Sequence, residues 1–123
     1  MTKEAYVSYE TAKLLKEKWF DEPTTHWYNV KESLINDYPV TYKNFGNSEN
    51  VWLAPTHQIA CAWLRKEHHL HILPEISDPS ELEPKYYCVI WNTLTIQSYI
   101  IDIFDSYEEA VEAALKYVLE NLI

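Results

Sequence analysis

Glycine is nearly missing from this 123-residue sequence, with Gly46 the only one. Loops that cradle phosphate, and the turns of dinucleotide-binding folds, need glycine where the backbone nears an anion or takes a positive φ. With one glycine no such loop can be written, which excludes P-loop nucleotide hydrolases and Rossmann-type enzymes. Cysteine is almost as scarce. Cys61 and Cys88 fit no disulfide or zinc-ligand spacing, so they read as buried thiols in a reducing cytoplasm. No apolar run is long enough to cross a bilayer, and no basic stretch followed by an apolar one opens the sequence, so no export signal is expected. Only ten Lys and Arg stand against nineteen Asp and Glu. Binding nucleic acid or an anionic membrane requires cations to meet phosphates, so both partners are disfavoured.

What is present is acidic, aromatic and strongly patterned. The formal net charge is −9, and residues 75–123 hold ten carboxylates against two lysines. Charge of that size opposes self-association and keeps a chain in solution. An apolar fraction of 47% and this length suit one globular domain over residues 1–123.

Three helices stand out. Ser8 is placed to cap the first, with Glu10 near its positive end; Ala12, Leu15 and Trp19 share a stripe, Leu14 flanks it, and Lys13, Lys16 and Glu17 face water. The second opens at Pro55-Thr56, with Thr56 as cap. It carries Ile59, Ala60, Trp63 and Leu64 on its apolar stripe, leaves Cys61 mostly off it, and runs straight into the apolar strand 70–73. The third opens on Ser106-Tyr107-Glu108-Glu109, the spacing of a capping box, and continues through Tyr107, Ala110, Val111, Ala114, Val118 and Leu122.

Between the helices, residues 25–30 and 40–42 read as strands, although 33–38 fits a helical turn equally. Three prolines and four carboxylates make 74–84 a loop. Residues 86–91, apolar throughout, read as an interior strand or one covered on both faces, joined by Asn92-Thr93-Leu94 to a partner over 95–104. The element order is α-β-β-α-β-β-β-α. Hairpins without regular βαβ alternation define an α+β fold: an antiparallel sheet of about four to five strands, three helices packed mainly on one face.

Residues 4–18 (Glu4 to Lys18), the set Ala54-Pro55-Thr56 with Gln58, Ala60 and Trp63-Leu64-Arg65, and the stretch from Ser106-Tyr107-Glu108-Glu109-Ala110 to Leu119-Glu120-Asn121-Leu122-Ile123 carry a resemblance. In these helices the chain resembles short uncharacterised proteins encoded in phage-like and mobile regions of Bacteroides-type gut bacteria. One departure is Trp19, where that group would end the helix on glycine. The resemblance implies a phage or mobile-element setting and a cytoplasmic protein; it implies no activity, cofactor or functional residue.

Chemistry is thinly supplied. His69 and His71 are two apart, which puts both imidazoles on the same side if they lie in one strand; with Glu75 they form the only metal-ligand candidate worth weighing. His57 and Cys61 are four apart on the second helix, but a thiol beside an apolar stripe reads as core. Glu108, Glu109 and Glu112, with Lys116 four beyond Glu112, read as a solvated face. The aromatics are more suggestive: five Trp, ten Tyr and three Phe exceed what one core of this size needs. Trp27, Tyr28, Tyr38, Tyr42, Trp52 and one of Tyr86 or Tyr87 are the candidates for an interaction surface, as exposed Tyr and Trp anchor protein interfaces. The expected function is therefore non-catalytic protein contact, with a protein partner or a second copy, and no cofactor. The alternatives are a small metal-dependent or hydrolytic enzyme built on the histidines, and an acidic nucleic-acid mimic built on the C-terminal carboxylates.

Overall fold

The computed structural model describes residues 5–80 and 82–123. Residues 1–4, read for an export signal, and Glu81 of the acidic loop lie outside the described residues. The fold is α+β with three helices, but its strands form two three-stranded antiparallel sheets where one was expected. The chain divides into two compact units, Met1–Ile59 and Ala60–Ile123.

In the first unit, the Ser8 hydroxyl accepts from the Thr11 amide at 3.2 Å and starts α1 (Tyr9–Glu17), burying Thr11, Ala12 and Leu15. The helix ends in a Schellman turn: the amide of Trp19 donates to Lys16 and that of Phe20 to Leu15. Trp19 takes the left-handed residue of that turn, φ 70°, and lies outside, while Phe20 is buried in its stead. The expected Ala12–Leu15–Trp19 stripe is thus wrong at its last member, because the helix has stopped before Trp19.

Strands β1 (Thr24–Tyr28), β2 (Leu34–Val40) and β3 (Trp52–Leu53) follow, in sheet order β2-β1-β3, and α1 lies against β3. The second strand sits earlier than 40–42 because Tyr42 belongs to a 3-10 turn, Tyr42–Asn44. Residues 34–36 extend because they pair with His26, Trp27 and Tyr28, a tertiary partner that local pattern does not reveal. The β1–β2 ladder then shifts register, leaving Asp37-Tyr38-Pro39 bulged opposite Thr25.

The second helix, α2 (His57–His68), begins at the end of the first unit and runs into the second. Thr56 Oγ1 accepts from the Ile59 amide at 3.2 Å, the expected cap. Ala60, Cys61, Trp63 and Leu64 are buried and Ile59 is exposed, so the apolar stripe is rotated from its expected position towards Cys61.

The second unit continues with β4 (Leu70–Ile76), β5 (Tyr86–Asn92), β6 (Gln97–Ile100) and α3 (Tyr107–Asn121). Sheet order is β4-β5-β6, and α3 packs on β4 and β5. Leu70, Ile72, Cys88 and Ile90 are buried on one face; His71, Leu73, Glu75, Tyr87, Val89 and Trp91 alternate onto the other. Strand β5 is interior as expected, and its Tyr87, Val89 and Trp91 are less buried than Cys88 and Ile90. Strand β4 reaches Ile76, beyond the expected start of a loop at Pro74. The last strand is shorter than 95–104: after Ile100 a one-residue bulge intervenes before Phe104 returns to pair with Tyr86. In α3, Ser106 accepts from the Glu109 amide at 3.1 Å. Its buried face takes in Leu115 and Leu119 and leaves Tyr107 exposed, contrary to the expected stripe.

Candidate functional site

Of the aromatic candidates, Trp27, Tyr28, Tyr42 and Trp52 pack within the first unit, and Tyr86 and Tyr87 lie half-buried in β5 of the second. Helix α1 presents Tyr9, which meets Tyr28 of β1 and Trp52 of β3 edge-on, at centroid distances of 5.6 and 5.2 Å. The Tyr28 hydroxyl donates to the Val7 carbonyl at 2.8 Å. Trp27 stacks edge-on with Phe45 at 5.2 Å and donates its indole N–H to Asp37 at 3.3 Å. Tyr42 accepts from the Leu53 amide at 2.9 Å, and its own amide donates to Asp21. All four are half-buried. Tyr38 differs: the β2 bulge turns it outward, 85% exposed.

At the centre of this cluster is a residue that sequence reading assigned to solvent. The Lys16 ammonium lies 4.9 Å from the Tyr42 centroid and 5.6 Å from that of Trp52, and donates to the carbonyl oxygens of Ser48 and Val51. Two aromatic faces and two carbonyls form a cage for a cation. Burial lowers the Lys16 pKa, and Glu49 opposes that shift. Burial also pushes the Tyr42 phenol up to about 12, with the Leu53 N–H working against it and Asp21 with it. At neutral pH that hydroxyl stays protonated and accepts from the Leu53 amide.

The histidine candidates are not brought together. His69 is a left-handed residue, φ 57°, between α2 and β4, so it does not share the strand alternation with His71. Its carbonyl accepts from the Thr93 amide and hydroxyl. Glu75 lies four residues beyond His71 in β4, about 13 Å along a strand, and accepts from the Tyr87 hydroxyl at 3.1 Å. That acceptor raises the Tyr87 pKa. Among the described residues no three His, Cys, Asp or Glu side chains are grouped to hold one metal ion. Both cysteines are free and buried. Burial pushes Cys61 up to about 11, partly offset by Arg65, and Cys88 up to about 12, reinforced by Cys61. A thiol so held is protonated at neutral pH and a poor nucleophile.

The second unit carries a feature that no candidate residue anticipated. The β5–β6 hairpin turn is closed by Asn92, whose side chain accepts from the Leu94 and Thr95 amides while its carbonyl accepts from Ile96. Leu94 is 71% exposed and Ile96, left-handed at φ 57°, is 79% exposed. Register places Leu73, Val89 and Ile100 in one row across the outer face of this sheet, and Ile100 is 63% exposed. The signal available in the sequence was the shortage of glycine: among the described residues, left-handed positions are filled by Trp19, Glu32, His69 and Ile96.

Among the described residues no helix is long and apolar enough to cross a membrane. Comparison with family models, with curated proteins and with solved structures finds no significant match in any of the three.

Proposed function

We propose that this chain is a non-catalytic accessory protein of a phage or mobile element, working in the cytoplasm through protein–protein contact. The single observation that carries this reading is the set of large apolar side chains held outside by specific backbone devices. Trp19 is 89% exposed on the left-handed residue that closes α1, Tyr38 stands on a bulge, and Leu94 and Ile96 occupy a hairpin tip. Backbone strain retained at exposed apolar residues points to a role other than folding. The resemblance of the three helices to mobile-element proteins supports the setting.

The test places a photo-crosslinking benzoylphenylalanine at Trp19, Tyr38 or Leu94 in living cells, with the exposed polar position Glu67 as control. Discrete adducts from the apolar positions and none from Glu67 are expected. Silence at all three apolar positions would end the proposal.

A further inference from the structure

We infer that β6 is a seam for a second copy of this chain. Two β6 strands would pair antiparallel across a two-fold axis, joining two β4-β5-β6 sheets into one of six strands. This rests on the reading that the protein acts through protein contact, and it names the partner and the surface.

A sheet edge is a template for another strand, and proteins blunt edges they do not use with proline, charge or brevity. The two sheets have four edges. Strand β2 carries Asp37 and Pro39, β3 is two residues long, and β4 carries Pro74 and Glu75. Strand β6, Gln97-Ser98-Tyr99-Ile100, has no proline and no charge. Among the described residues it is the one edge longer than two residues with neither proline nor charge.

The run of chain that carries it is apolar and neutral. Leu94 and Ile96 lie exposed at the hairpin tip beside it, and the Leu73–Val89–Ile100 row runs across the sheet to its edge. Ile96 is β-branched, and such a residue resists the left-handed conformation that glycine or asparagine adopts readily. Residues 86–101 contain no charged side chain, within a chain of net charge −9. That neutrality selects the occupant. A basic partner strand would meet carboxylates along its seam, and here it would meet none. Two copies of an acidic chain, by contrast, avoid opposing like charges only where the edge is uncharged. Antiparallel pairing of identical strands is two-fold by construction, so the contact closes on itself and stops at a dimer.

The test is the mass of the full chain by light scattering and sedimentation over a concentration series. The mass-average should rise from 14.6 kDa towards twice that value. Ser98 is exposed on β6, opposite Trp91, and the proposed seam is centred on it, Ser98 facing Ser98 of the second copy, so Ser98→Lys and Ser98→Glu each put like charges face to face. Each alone should weaken the dimer by about tenfold or more, and an equimolar mixture should restore it. Melting curves confirm that both variants are folded. Should either not fold, amide hydrogen exchange on the wild-type chain replaces it: protection in β6 must grow with concentration. A wild-type chain that stays monomeric overturns the inference, while heterologous adducts in the crosslinking experiment would leave the contact reading standing. A dimer that persists in folded Ser98→Lys, or β6 exchange independent of concentration in a dimer, moves the seam elsewhere and overturns it equally.

Discussion

The Lys16 ammonium sits 4.9 Å from the centre of the Tyr42 ring and donates to the Val51 carbonyl at 2.9 Å. A helix side chain thereby holds a loop that has little regular structure of its own. Lys16→Met keeps the stem and removes the charge. It should cost about 2 kcal/mol, the scale of a hydrogen bond to a charged group plus a cation–π contact. Urea denaturation measures it, and a loss below a few tenths would show that the cage contributes nothing.

Trp19 pairs a left-handed backbone with a ring that is almost wholly in solvent. Trp19→Ala removes the ring but keeps the strain, and Trp19→Gly removes both. The glycine variant should therefore be the more stable of the two by about 1 kcal/mol. Equal midpoints would mean the Schellman turn is not strained.

Trp63 is buried on α2, its ring 4.9 Å from that of His68. Truncation to alanine leaves a large cavity, and Trp63→Ala should cost about 3–5 kcal/mol. An unchanged melting curve would show that this face of α2 is misassigned.

Cys61 and Cys88 give a pH dependence whose sign is fixed by burial. Their ordinary value is 9.0, and the fold pushes them up to about 11 and about 12. Below pH 9 both states keep the protons and these thiols do not change stability with pH. Above it the unfolded chain loses protons that the fold retains, so stability falls as pH rises towards 11 and 12. The slope is about 1.4 kcal/mol per pH unit for each thiol. Cys88→Ala should remove one such increment from the slope between pH 9 and 11, read by denaturation at each pH. A slope that does not change would show that Cys88 ionises alike in both states.

Much of this structure was legible where the signal is local. Ser8, Thr56 and Ser106 each cap the helix they were assigned, because a cap involves residues only three apart. The α2 stripe was found but misplaced between Ile59 and Cys61, since periodicity reports a stripe more securely than its edges. Lys16 was assigned to water because its partners, Tyr42, Ser48, Val51 and Trp52, lie 26–36 residues away. Whether His69 and His71 share a strand could not be read locally, and the left-handed turn at His69 starts the strand one residue later.

By itself the sequence determined three capped amphipathic helices, a hairpin beginning at Tyr86 and read as far as Phe104, and the lack of any glycine loop for phosphate. These depend on neighbours within a few residues, whose chemistry is in plain view. Only the tertiary structure decided that the strands divide into two sheets, that a lysine is enclosed by aromatic faces, and that β6 stands at an edge. Each of those depends on which distant segments supply hydrogen-bond partners and apolar cover, and that choice is made when the chain packs.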